Sequence, residues 1–321
     1  MDVVIINSSN RKKSVNGSVK VTTCGNVVEL MEMERVNRKG SSIIYVDKDH
    51  YYCKSDFDYE TGEIVGDLKK FNRTENRGQN YSGMRKSMKA VRDLINCNVT
   101  DPNKVRWMTF TYAENMRDCK RLYNDRKAFW KRVVRWHNKM GLPVPEYISI
   151  VEPQGRGAWH LHELWLYPDK APYLPNDVIA ELWQQGFVTV KKLDDVDNVG
   201  AYVTAYLCDV PEDEAKANNI NTDGMEIKEV EITLDDGTKQ NKKYVKGARL
   251  HLYPSKMNFY RTSRGVKRPE VEWMPEKKAK EKVSGGTLTY SKSIRLTEDD
   301  YSNDIHYEYY NMVRGKNQDR D

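Results

Sequence analysis

VRWMTFT (105–111), DCKRLYNDRKAFWKRVVRWHNKM (118–140), EYISIVE (146–152), WHLHELWLY (159–167), NDVIAELWQQG (176–186) and FVTVKKL (187–193) follow one another with only short connections between them. The first, third, fourth and sixth pieces are short, rich in β-branched and aromatic residues, and alternate in polarity, as half-buried strands do. The second sets Leu122, Phe129, Val133, Trp136 and Met140 on one helical stripe, with Gly141 as its stop and Pro143 just beyond. Asn176 is placed to cap the shorter helix that Gly186 would end. The loop PQGRGA (153–158) makes a long hairpin of the two middle strands. The order is therefore β-α-β-β-α-β, the split βαβ pattern, and it predicts an α+β fold with an antiparallel sheet and helices on one face.

Outward from this core the signals weaken. Upstream, VKVTTC (19–24), NVVELMEM (26–33), SIIYV (42–46), HYYCK (50–54) and YETGEIVG (59–66) predict a small accessory β layer, with a hairpin turn at Thr61-Gly62. Residues 81–95 carry Met84, Met88, Val91 and Ile95 at helical spacing, with Arg and Lys on the other face. Downstream, Asp197 can cap the helix NVGAYVTAYLC (198–208), and Asp236-Gly237 between alternating runs predicts a second hairpin, followed by a strand RLHLY (249–253). Residues 271–321, with EKKAKEK and a polar end, predict a mobile charged tail. The expected division is 1–100 accessory β-rich segment and basic helix, 101–210 core, 211–270 hairpin and basic extension, and 271–321 tail. No internal repeat of about 20–50 residues is visible.

Composition closes off several classes. The 321 residues are 31% charged and 38% hydrophobic, with a mean hydropathy of -0.82, which leaves no apolar run of the ~20 residues that a membrane-spanning helix needs. The start, MDVVIINSSNRKKS, reverses the pattern of a secretory signal, so a cytoplasmic location is expected. Five widely spaced cysteines with no CxxC pair argue against a disulfide framework or a zinc knuckle. The net charge of +6 conceals a polarised chain. Residues 69–92 hold eight basic and one acidic residue, 246–268 hold seven basic and no acidic residues, and 194–236 hold thirteen acids against two bases. Basic runs interleaved with Tyr253, Phe259 and Tyr260 are what phosphate contacts and base stacking need. Arg85, Lys86, Lys89, Arg249, Lys256, Arg261, Arg264, Lys267 and Arg268 are the candidate DNA contacts.

The chemistry gathers in 152–206. His160 and His162 are two apart on a strand and so share a face, and the hairpin brings Glu152 beside them, while Glu163 points to the opposite face. Two imidazoles and a carboxylate with open positions suit Mg or Mn when a substrate phosphate completes the sphere, and would also accept Zn, Co or Ni. Half-buried surface histidines on an edge strand are the alternative. Tyr202 and Tyr206 lie four apart on one helical face, which ordinary packing also explains. Near a phosphate whose charge is neutralised, a phenol of pKa about 10 becomes a usable nucleophile.

TFTYAENM (109–116), EPQGRGAWHLHELW (152–165) and NVGAYVTAYL (198–207), in that order, resemble the three motifs of the HUH endonucleases. Within them the chain is most similar to the rolling-circle replication initiators of Gram-positive plasmids and integrative elements. The similarity extends over 76–98 and 246–269. The resemblance implies a ferredoxin-like HUH core with β-rich extensions at both ends, and a site-specific nickase with strand-joining activity. His160 and His162 match the paired metal ligands, Glu152 the third ligand, and Tyr202 the nucleophile, with Tyr206 as its partner in two-tyrosine relatives. Thr109, Thr111 and Tyr112 fall in the first motif, which positions substrate. Relatives commonly carry Lys three residues after each tyrosine; Ala205 and Asp209 stand there instead, so the charge partner is unassigned.

The implied partners are origin DNA, as a single-stranded nick site with flanking duplex, together with a host helicase and DNA polymerase. A helicase would be recruited, because the sequence has no GxxxxGK[ST] loop. Other readings stay open: a conjugative relaxase or single-strand transposase with the same chemistry, a His/Glu metal-dependent hydrolase using water, or a non-catalytic DNA-binding regulator.

Overall fold

The computed structural model describes residues 2–36, 43–47, 50–53, 58, 61, 63–70, 81–193, 200, 209–217, 219–220, 227–233, 239–245, 247–255, 257–298 and 301–313. In chain order, β1 (Asp2–Ile6), β2 (Ser18–Cys24) and β3 (Val27–Met33) precede three short strands, β4 (Ile43–Tyr45), β5 (His50–Cys53) and β6 (Lys69–Lys70), which form a small sheet of their own. Helix α1 (Tyr81–Asn98) leads into β7 (Val105–Phe110), α2 (Cys119–Lys139), β8 (Glu146–Pro153), β9 (Trp159–Leu166), α3 (Asn176–Trp183) and β10 (Val188–Lys192). Then come β11 (Val210–Pro211), α4 (Glu212–Ala217), β12 (Ile227–Thr233), β13 (Lys239–Val245), β14 (Tyr260–Thr262), β15 (Glu270–Pro275), α5 (Glu276–Lys282), β16 (Thr287–Glu298) and β17 (Tyr301–Asn311).

The central sheet has the order β10-β7-β9-β8-β14, antiparallel throughout. Its first four strands are the split βαβ arrangement that the sequence predicts: β9 lies between the strands joined by α2, and β7 between those joined by α3. The α+β fold with an antiparallel core and β-rich extensions is therefore what the chain adopts. Asp118 starts α2 by accepting hydrogen bonds from the amides of Lys120 (2.7 Å) and Arg121 (3.1 Å), and Gly141, at φ 65°, follows its last turn. The buried stripe of α2 is Leu122, Phe129, Val133 and His137. Met140, expected on that stripe, is 56% exposed, and His137 takes the inward position. Phe129 packs on Phe110 of β7 (4.8 Å between ring centres) and Trp183 of α3 (5.4 Å), so both helices press on one face of the sheet. Each such fully buried ring stabilises the fold by about 1.5–3 kcal/mol.

Several details depart from expectation. α3 follows Pro175, with no side-chain cap, because the Asn176 carboxamide instead accepts from the Val190 amide of β10 at 2.8 Å. The helix ends at Gln184 in the left-handed region (φ 65°), two residues before Gly186. A Cβ on Gly186 would sit 2.6 Å from the Thr111 carbonyl oxygen, so glycine there allows the two segments to close together. Leu250–Leu252 form a 3-10 turn rather than a strand, after Gly247 at φ 70° reverses the chain. Residues 239–245 pair with 227–233 in the expected hairpin. Thr61-Gly62, Asp197 and Asp236-Gly237 fall wholly or partly outside the described residues.

The expectation of a mobile tail over 271–321 is corrected as far as residue 313. β15, β16 and β17 join β1, β2 and β3 in a six-stranded antiparallel sheet ordered β1-β16-β17-β3-β2-β15. α5 covers one side of it, with Ala279 and Val283 against Val19, Val21, Val28 and Leu30. The segment is polar because Thr, Ser and Tyr carry its strands, and these residues favour a pleated, half-buried surface while lowering mean hydropathy.

Candidate active site

Strands β7, β9 and β8 lie side by side, and their register places Thr109 opposite His162, His162 opposite Ile150, and His160 opposite Glu152. Residues directly opposite share a face, so Thr109, His162, His160 and Glu152 stand on the sheet face away from α2. Glu163 points the other way, fully buried, where it accepts from Arg126 of α2 (2.8 Å) and from the Trp165 indole (2.8 Å).

A chain of hydrogen bonds runs along the site. His162 Nε2 lies 2.6 Å from Glu152 Oε2, and Nδ1 lies 3.1 Å from Thr109 Oγ1. A carboxylate only accepts, so Nε2 carries the proton and donates it, while the Thr109 hydroxyl donates to the Nδ1 lone pair. Trp107, two residues before Thr109, stacks on the His162 ring (centroids 5.3 Å apart, 21° between planes) and fixes its orientation further. The other oxygen of Glu152 is held by Arg249 Nη1. Burial works against the Glu152 charge, yet the hydrogen bond and charge of His162, with Arg249 and His160 beyond, hold its carboxyl below the ordinary value. His160 is pushed down to about 4, first by burial and then by the neighbouring His162, so it is neutral at pH 7. Its ring meets His162 edge-on at 6.2 Å.

The chemistry of these donors suits a divalent cation, but their arrangement does not present them to one. Both Glu152 oxygens and both His162 nitrogens are engaged by other groups. Among the described residues, no three His, Cys, Asp or Glu side chains stand where they could hold a metal ion.

The remaining candidates are scattered. Thr111 is turned to the β10 side, its hydroxyl donating to the Phe187 carbonyl at 3.1 Å. Tyr112 is core, packed edge-on against Trp183, with its hydroxyl donating to Asp125 at 3.1 Å. Lys86, Arg261, Arg264, Lys267 and Arg268 are exposed, and Arg261 also lies over the Tyr123 ring at 4.0 Å. Two expected surface cations are not free surface charges. Lys89 is partly buried between Glu29 of β3 (2.6 Å) and Asp93 (2.7 Å), and Arg249 is only 8% exposed. Tyr202, Tyr206, Lys256 and the side chain of Arg85 lie outside the described residues. The two ends of the tyrosine segment are described. The Gly200 amide donates to Asn96 of α1 at 3.0 Å, and the Asp209 carbonyl accepts from Arg249 at 2.9 Å. The sequence reading missed Trp107 and Glu214; Trp107 had a signal, its period-2 spacing from Thr109 on the strand.

Residues 105–210 match the family model of the replication-associated proteins of the ORF2 type. The match spans the core strands, the histidine pair and the tyrosine segment, and supports a replication-associated protein with a role in initiation. No curated protein and no solved structure matches the chain. Among the described residues, no helix is long and apolar enough to cross a membrane.

Proposed function

We propose that this chain is a rolling-circle replication initiator that nicks one strand of its origin by tyrosine attack and later rejoins it. The observation that carries the reading is the Thr109–His162–Glu152–Arg249 chain beside a neutral His160, on one open sheet face within the family-matched residues. The Tyr202 oxygen attacks the scissile phosphorus and forms a phosphotyrosine ester on the 5′ side. The bond to the 3′ oxygen breaks, leaving a 3′ hydroxyl that a host polymerase can extend. Because the ester conserves the energy of the broken bond, rejoining through the 3′ hydroxyl, with Tyr206 assisting the second transfer, requires no ATP. The exposed cations Lys86, Arg261, Arg264, Lys267 and Arg268 would grip the flanking DNA, and a host helicase would open it. A Mg or Mn ion would supply charge neutralisation at the phosphate. No step is routed through such an ion, because Glu152 and His162 are already bonded to each other.

Cleavage of labelled single-stranded origin DNA in the presence of Mn, followed on a denaturing protein gel, tests the proposal. Wild type is expected to give a shifted covalent protein–DNA band that Tyr202→Phe abolishes. Loss in Tyr206→Phe alone would exchange the two roles. Cutting without a covalent band, unchanged in both variants, would replace the nickase with a hydrolase, and binding without any cut would leave a DNA-binding regulator.

A further inference from the structure

Arg249 lies in a run of seven basic residues, yet its guanidinium is turned inward. Nη1 donates to Glu152 Oε1 and to the Pro153 carbonyl (3.1 Å), Nε to the Asp209 carbonyl (2.9 Å), and Nη2 reaches Glu214 Oε2 of α4 at 3.4 Å. The structures that it grips are themselves tied together. The Gly155 amide donates to the other Glu214 oxygen at 3.0 Å, and the Gly247 amide donates to the Asp209 carboxylate at 3.0 Å. A planar fork with fixed donors can join four groups this way, and a lysine, which is a point charge, cannot. A DNA phosphate would reach this head only by breaking a buried ion pair whose side chains are 10% and 9% exposed.

We propose that Arg249 is a positioning residue: it fixes the Glu152 carboxylate of the strand-cleaving site against the backbone at Asp209, and does not grip DNA. The inference rests on the nicking reading for its activity arm only.

The test uses the full chain with Arg249→Gln and Arg249→Lys, and Arg261→Gln as a surface comparison. Three quantities are read: the dependence of log K on log salt for a single-stranded oligonucleotide, the rate of covalent adduct formation at saturating DNA with Mn, and hydrogen exchange at the amides of 151–153 and 209–217. Arg249→Gln is expected to keep the salt slope, to lower the saturated rate by about a hundredfold, the scale of a 1 Å displacement at a reacting centre, and to speed exchange at both anchor points. Arg261→Gln is expected to lower the slope by about one and to leave exchange at those amides unchanged. A slope that falls by about one in Arg249→Gln, with the saturated rate retained, would overturn the proposal, as would unchanged exchange. If Arg249→Gln does not fold, Arg249→Lys decides. A rate loss of about tenfold or more at an unchanged slope supports the positioning role, and wild-type rate and exchange overturn it. If wild type itself forms no adduct, the nicking reading fails, while salt slope and exchange still decide the role of Arg249.

Discussion

His137 is fully buried, with Nδ1 2.9 Å from the Val133 carbonyl and Nε2 3.0 Å from the Tyr167 hydroxyl. The carbonyl only accepts, so Nδ1 holds the ring proton and Nε2 accepts from the phenol, which makes the neutral ring the one that this site satisfies. Burial pushes its pKa down, as it does for His306 and for His160, the last to about 4. In the unfolded chain each ring takes up a proton as pH falls through about 6.5, whereas in the folded chain it does so only at lower pH. The unfolded state then binds more protons, and stability is lost as pH falls from about 6.5 toward the folded values. Glu152 acts in the same direction further down: its folded pKa is depressed, so its contribution is present above the ordinary carboxylate pKa and lost as pH falls through the folded one. Calorimetry is expected to record a lower Tm at pH 5 than at pH 7, with a smaller drop in His160→Gln. An equal drop in that variant would remove His160 from the acid-sensitive groups. The site geometry was partly legible at this scale, because strand alternation alone places His160, His162 and Glu152 on one face and Glu163 on the other. Arg249 was not legible: its partner Glu152 is 97 residues away, and a run of like charges says nothing about distant acids.

Helix α1 carries the same lesson for a whole element. Its apolar spacing reads correctly, with Met84, Val91 and Ile95 buried, but its basic face is divided between solvent and protein. Lys86 faces outward, while Lys89 pins the helix to β3 through Glu29 and carries a pKa raised to about 12: burial lowers it, and the charges of Glu29 and Asp93 outweigh that. Lys89→Ala is therefore expected to lower stability by about 1–2 kcal/mol, after allowing for solvent screening of a partly exposed pair. It should leave the salt dependence of DNA binding unchanged. Neutralising Arg264, Lys267 and Arg268 together is expected to do the reverse, lowering the salt slope by up to about three with little change in denaturant midpoint. A Lys89 variant that altered the slope would return that residue to the DNA interface. The core strands and α2 were legible because their periods are unbroken. β16 and β17 were not, because tyrosine, threonine and serine build them, and a hydropathy average counts such residues as tail.

For the molecule as a whole, the six-stranded sheet is assembled from sequence-distant halves: Asp2 pairs with Thr297, and Val27 with Asn311. Cutting the chain after 269 would remove β15, β16 and β17 and leave β2 and β3 paired only with each other, below the three strands that an isolated sheet needs. Limited proteolysis of residues 1–269 is expected to degrade the first 36 residues rapidly while sparing the 105–192 core. Protection of the N-terminal strands in that fragment would mean that the sheet does not depend on its later half. The same pairing has a kinetic side. During synthesis the central sheet has all its first four strands once residue 192 has emerged, whereas β1 waits for β16, with which it pairs, to be made. Closing so long a loop is slow relative to local folding, so the nascent chain carries unpaired strand edges for much of its translation. Ribosome pausing, early termination and chaperone supply are therefore expected to govern the yield of this outer sheet far more than that of the core.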